Sequence, residues 1–237
     1  MLNAYDHASR IQTAVNSGEA ASSNLIASWN RCIRSHGLDP VKTPPQRVIT
    51  AAELRDLRDE SSNLLFSART GLSHIGAIAR SVGACVLFTT PDGIAIQSSV
   101  HANDTSDLQR WGQTGIDWSE QVAGTNGIGT CLVEKRPLLI HKGQHFYERV
   151  VGLSCAVAPV FDHFGKVAGA LNVTFHGAAE RTIWPKQMVS IVSDVARQIE
   201  IDHFHHMYRA QRNASGCRRG RCHRGSKPQR AAGVEVE

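Results

Sequence analysis

No apolar run in this 237-residue chain reaches the roughly 18 residues of a membrane-spanning helix. The opening MLNAYDHASR has no basic stretch leading into an apolar core, so it does not read as a secretory signal. No glycine loop closed by Lys-Ser or Lys-Thr occurs, and no recognition helix for DNA follows Asn213. Cysteine is sparse and scattered (Cys32, Cys85, Cys131, Cys155, Cys217, Cys222). Four of these lie in apolar contexts, the pattern of reduced, buried thiols in a cytoplasmic protein. Acidic residues are missing between Arg209 and Arg230, where eight basic ones gather. Without those eight the net charge falls from +5 to −3. The folded part is therefore mildly acidic and lacks the basic face of a nucleic-acid-binding domain.

What is present is enough apolar residue, 41%, for a packed core. Leu25, Ile26, Trp29, Cys32 and Ile33 form one stripe at helical spacing, with Ser22 or Ser23 as cap, Gly37 as a left-handed stop and Pro40 beyond. Thr50-Ala51-Ala52-Glu53 reads as a capping box. It opens a long helix with Leu54, Leu57, Leu64, Leu65, Ala68, Leu72, Ile75, Ala79 and Val82 on its stripe, about 45 Å if unbroken. ACVLFT (84–89) and Ile94 to Ser98 flank Pro91-Asp92-Gly93 as a hairpin. A stretch without periodicity runs from His101 to Glu120. A short helix is expected from Asn126 to Glu134, then the strand PLLIH, then a second hairpin of Leu153–Phe161 and Val167–Phe175. A final helix starts near Pro185 and runs towards Arg209. The order predicts an α+β fold: one antiparallel sheet of about five or six strands, helices to one side, and long terminal helices seeking a partner chain. The expected divisions are an N-terminal helical segment (1–49), the main domain with its flanking helices (50–210) and a disordered basic tail (211–237) that could touch nucleic acid through charge alone.

The segment VAGTNGIGTCLVE (122–134) poses the functional question. Gly124, Gly127 and Gly129 do not make a dinucleotide fingerprint, and no strand immediately precedes them. The geometric reading is that they let the chain pass close to a neighbour or ligand while Thr125 and Asn126 cap the next helix. His141 and His145 are four apart, but Gly143 and the preceding strand argue against a helix that would join them on a metal, and a third ligand is missing. His145 reads instead as a hydrogen-bonding pocket residue. Cys217, Cys222 and His223 likewise lack a fourth ligand, and His203, His205 and His206 read as solvated surface. Cys131 and Cys155 read as buried core. Trp111 and Trp118 either pin a surface loop or form an apolar lid over a small ligand, with Glu120, Thr125 or Asn126 supplying hydrogen bonds.

GTNGIGTCLVEKRPLLIHKGQHF (124–146), LSCAVAPVFDHFGKVAGALNVT (153–174) and SWNRCIRSHGLDP (28–40) together resemble the GAF sensor domain of the acetoin catabolism regulators, which are sigma-54-dependent transcriptional activators, and the segment before it. The resemblance covers roughly residues 22–210. It implies a GAF-like central antiparallel sheet of about six strands flanked by long N- and C-terminal helices, a pocket roofed by the irregular middle region, a cytoplasmic homodimer and a small oxygenated metabolite as effector. The candidate ligand-binding set is Trp111, Trp118, Glu120, Gly124, Thr125, Asn126, Thr130, His145, Phe146 and Cys155. No catalytic residue, metal or cofactor is expected. The sequence resembles only the sensory half of that family, so its output would pass through a separate protein. A thiol reductase on the same scaffold and a purely structural dimerisation module are the alternatives. A sensing role requires a hollow beside Gly124–Gly129 large enough for a four-carbon molecule.

Overall fold

The computed structural model describes residues 4–17, 23–101, 103–176 and 185–219. The elements in chain order are α1 (Ala4–Asn16), α2 (Asn24–Asn30), α3 (Ala51–Glu60), α4 (Ser62–Ser81), β1 (Ala84–Thr89), β2 (Ala95–Ser98), α5 (Ser106–Trp111), α6 (Glu120–Ala123), α7 (Gly127–Glu134), β3 (Leu138–His141), β4 (Leu153–Phe161), β5 (Val167–His176) and α8 (Pro185–Arg219). Ser23 caps α2, whose helix continues into a wider turn over Arg31–Ser35 before Gly37 stops it at φ +65°. The Thr50–Glu53 capping box forms with both of its reciprocal bonds. The expected single long helix is divided at Ser61, whose backbone (φ −87°, ψ 6°) leaves helical geometry.

Among the described residues the sheet has five antiparallel strands in the order β2-β1-β5-β4-β3. No sixth strand forms among the described residues. The chain beside β2 makes only single bridges, Ile94 to Asp117 and Val48 to Ile116, because Gly115 at φ +87° interrupts extended geometry there.

Helices cover both faces, not one. The strands are buried almost end to end and do not alternate inward and outward, as expected of a sheet sandwiched between layers. On one face Val86, Phe88, Ala156, Val160, Leu171, Val173 and Phe175 meet α4 and α8 in one apolar cluster. On the other, Leu87, Val157 and Ala170 share a cluster with Ile11, Val15, Ile26 and Trp29 from the N-terminal helices and with Trp111, Trp118 and Ile128. The helices before residue 50 are thus part of the layer that covers the sheet.

α4 and α8 run antiparallel: a Cβ at Gly71 would stand 3.0 Å from Ile199, Ser67 meets His203 at 3.5 Å and Asn63 meets His206 at 3.4 Å. His203 is buried against His163, ring centroids 5.6 Å apart, and so is not the solvated residue its polar neighbours suggest. α8 extends as far as Arg219. The tail from 220 to 237 lies outside the described residues. No helix among those described is long and apolar enough to cross a membrane.

Candidate functional site

The glycine segment lies in the layer opposite α4 and α8. Gly124 sits at φ +64°, and a Cβ there would stand 2.6 Å from the Phe146 Cβ. Gly127 passes so close to β4 that its Cβ would be 2.5 Å from that of Cys155. Between them Asn126 caps α7: its side-chain oxygen accepts from the Gly129 N–H at 3.0 Å, and its amide donates to the Trp118 and Gly124 carbonyls at 2.8 Å each. Asn126 thus takes up the Gly129 N–H, and the first turn of α7 is buried, so it offers no open cradle for a phosphate.

Beside these approaches a cavity lies between the sheet and its roof. Leu87, Leu153, Cys155, Asn172 and Thr174 form the floor; Trp111, Trp118, Asn126, Ile128 and His145 form the rest. The two indoles meet edge to face with centroids 6.3 Å apart. The cavity encloses about 10 Å³, the room of about one water. A four-carbon molecule does not fit without movement of the walls, so the hollow required by the sensing reading is present in position but not in size.

The lining is neutral throughout. His145 donates from Nδ1 to the Lys142 carbonyl at 2.8 Å, which leaves Nε2 as an acceptor facing the Cys155 thiol at 3.7 Å. Burial lowers the His145 pKa to about 4 and pushes that of Cys155 up to about 11. At neutral pH both are uncharged. The Asn172 amide donates to the Thr174 hydroxyl at 2.8 Å. Two buried atoms of the lining residues lack a partner among the described residues: the donor Trp118 Nε1 and the acceptor Asn172 Oδ1.

Five of the ten candidates from the sequence, Trp111, Trp118, Asn126, His145 and Cys155, line this cavity. The others stand behind it. Gly124 and Phe146 pack on each other. Glu120, Thr125 and Thr130 belong to a buried network with the N-terminal segment. The Glu120 carboxylate accepts from Arg31 at 2.8 and 3.1 Å, from Thr130 at 3.2 Å and from Ser28, while Thr125 meets Ser28 at 2.7 Å. Arg31 also pairs with Glu134 at the end of α7, at 2.9 Å. On the other flank His7 of α1 donates through Nε2 to the His145 and Phe146 carbonyls at 3.0 and 3.2 Å. The sequence reading missed Asn172 and Thr174. Their signal was two polar residues in alternate positions of the otherwise apolar VAGALNVTFH strand.

Burial also raises the Cys32 and Cys85 pKa values to about 12 and shifts that of Cys131 upwards. These thiols are therefore kept protonated, the opposite of an activated nucleophile. Among the described residues no group of three or more His, Cys, Asp or Glu is placed to hold a metal.

An antiparallel sheet with helices on both faces and a small neutral cavity under an irregular roof is an α+β architecture. Residues 72–202, more than half of the chain, match the GAF domain family, and the chain belongs to it. The acetoin catabolism regulatory protein of Cupriavidus necator is 30% identical over 148 residues, 62% of this chain and 22% of that protein. The acetoin dehydrogenase operon transcriptional activator AcoR of Bacillus subtilis is 24% identical over 151 residues, 63% and 25% of the two chains. The propane 2-monooxygenase operon transcriptional activator MimR of Mycolicibacterium smegmatis is 29% identical over 164 residues, 66% and 26%. The chain spans about a quarter of the length of these curated relatives. The crystal structure of the E. coli DhaR(N)–DhaL complex contains a chain of the same fold, with TM-score 0.73 at 13% identity, covering 83% of this chain and 66% of that one.

Proposed function

We propose that this GAF domain is a non-enzymatic sensor whose enclosed cavity takes up a small, uncharged, oxygenated metabolite, and that occupancy is passed to transcription. The observation that carries the reading is the pair of unpartnered polar atoms in the lining, Trp118 Nε1 and Asn172 Oδ1. Leaving a buried donor or acceptor unmade costs about 1–3 kcal/mol, so a guest that offers an acceptor to the indole and a donor to the amide recovers that free energy on binding. A hydroxyketone or a diol has both. A carboxylate would enter a lining with no cation and lose its hydration without compensation. The names of the relatives, regulators of acetoin and propane-oxidation operons, support the same chemical class.

Because the cavity holds about one water, entry requires the roof to move. Trp111 and Trp118 belong to the segment that links β2 to α6, a region tied to the sheet by isolated bridges and not by a ladder. Displacing it moves Glu120, and with it the Arg31 and Ser28 contacts to α2. The chain therefore has a connected route from the cavity to the N-terminal helices. The exposed residues Ile201, Phe204 and Tyr208 lie along one side of α8, with Phe66 exposed on α4; this stripe is the surface on which a cytoplasmic homodimer or a separate output protein would seat.

A thermal-shift screen of the whole chain against short ketones, diols, alcohols and carboxylates tests the function. A ligand that binds only the folded state raises the melting temperature with concentration. The proposal predicts such a rise for uncharged oxygenated compounds, lost in Asn172→Leu. No rise with any member of that class overturns it.

A further inference from the structure

The indole of Trp111 has a second side. Away from the enclosed cavity it forms the wall of an open cleft of about 360 Å³, lined by Pro44, Pro45, Gln46, Arg110, Ile116 and Arg149 among others. Two guanidinium groups lie over this ring, Arg110 at 4.7 Å and Arg149 at 5.5 Å from its centroid, and Arg149 also lies over Tyr147 at 5.2 Å. No carboxylate lines the cleft, and neither arginine has an ion-pair partner among the described residues. Arg149 is tethered by a bond to the Pro44 carbonyl. Burial, and to a lesser degree the charge of Arg110, lowers its pKa. Two like charges over one indole, with no carboxylate in the cleft they line, present a site where an anion would be favoured.

We propose that this cleft is a second ligand site, one for a small carboxylate, separate from the enclosed cavity and chemically opposite to it. Paired arginines match a carboxylate because the planar fork of each can donate two parallel bonds. The rest of the lining selects among anions. Trp111, Ile116, Val48 and two prolines offer apolar wall, which suits the carbon skeleton of an organic acid and gives nothing to inorganic phosphate. The volume lies at the lower end of the range for small-molecule pockets, so a compact acid of a few carbons fits. Gln46, whose side-chain oxygen has no partner while its nitrogen donates to the Asp117 carbonyl at 3.0 Å, borders the same space.

The test titrates the full chain with succinate, inorganic phosphate and 1,4-butanediol at constant ionic strength, following tryptophan fluorescence and the melting temperature. The proposal predicts a saturable change with succinate, a weaker one with phosphate and, with the diol, a response that Arg110→Gln leaves unaltered. Arg110 is exposed, so Arg110→Gln keeps the fold, which its unchanged melting temperature without ligand verifies. It weakens succinate binding at least about tenfold, the loss of one charge-assisted contact, whereas Arg110→Lys retains part of it. Equal, non-saturating responses to succinate and chloride overturn the site, as does succinate binding of equal strength in wild type and Arg110→Gln. A dimer that Arg110→Glu dissociates in a chain that does not bind succinate also overturns it, because the counter-charge then comes from a second copy.

Discussion

A β-carbon at Gly127 would stand 2.5 Å from the Cβ of Cys155, so α7 and β4 meet at this pair closer than any other residue at 127 permits. The contact sets the height of the roof over the sheet. Gly127→Ala should therefore force the two elements apart and destabilise the domain by about 1–3 kcal/mol, the usual cost of overpacking. Urea unfolding measures this, and an unchanged midpoint would contradict the assignment of the glycine to close approach.

Arg31 and Glu120 supply a second prediction. The Glu120 side chain is 2% exposed and its charge is balanced by an arginine that is 27% exposed. Removing the arginine leaves a buried carboxylate with only hydroxyl partners. Breaking a buried pair costs about 3–5 kcal/mol, and the partial exposure of Arg31 places Arg31→Ala towards about 2–3 kcal/mol. The double variant Arg31→Met/Glu120→Gln should recover most of the loss. Equal destabilisation in the single and double variants would show that the pairing is not what holds α2 to the roof.

The buried imidazole predicts an acid sensitivity. His145 has its pKa lowered from 6.5 to about 4 by burial, so the unfolded chain takes up a proton that the folded one does not. Stability contributed by the neutral ring is fully present above about pH 6.5 and is lost as the pH falls towards 4. Over that interval the loss amounts to about 3 kcal/mol at about 1.4 kcal/mol per unit. His7 shifts in the same direction, chiefly through burial, and adds to the slope. Stability measured by denaturant between pH 7 and pH 4 should fall, and should fall less steeply in His145→Gln.

The thiols offer a test against thiol-reductase chemistry. Cys32, Cys85, Cys131 and Cys155 are buried, with pKa values raised by desolvation. Iodoacetamide applied to the native chain at pH 8 and read by peptide mass mapping should leave all four unmodified. Rapid alkylation of Cys155, the thiol that faces His145 at 3.7 Å, would restore the enzymatic reading.

Local signals in the sequence survived folding where the chemistry is local. The Thr50–Glu53 box, the Gly37 stop, the turn at Gly93 and the cap at Asn126 each depend on residues within a few positions of one another. Register and layer order do not. Two-sided burial of ACVLFT was legible only as an absence of alternation. Asn172 and Thr174 became part of the site because β5 pairs with β4 so that Asn172 lies opposite Val157 and Thr174 opposite Cys155, a pairing that one strand alone cannot reveal. Glu120 stands beside the motif, but Ser28 and Arg31, which its carboxylate meets, lie far away in sequence. Arg110 and Arg149, likewise far apart in sequence, both lie over the ring of Trp111.

The most direct measurement is of the Trp118 indole N–H itself, followed by ¹⁵N–¹H correlation spectroscopy as a four-carbon hydroxyketone is added. An unpartnered donor in a closed neutral cavity should show a saturable shift as it gains an acceptor, absent in Asn172→Leu and absent for a carboxylate of the same length. A Trp118 resonance that stays in place with every uncharged oxygenated guest would contradict the account.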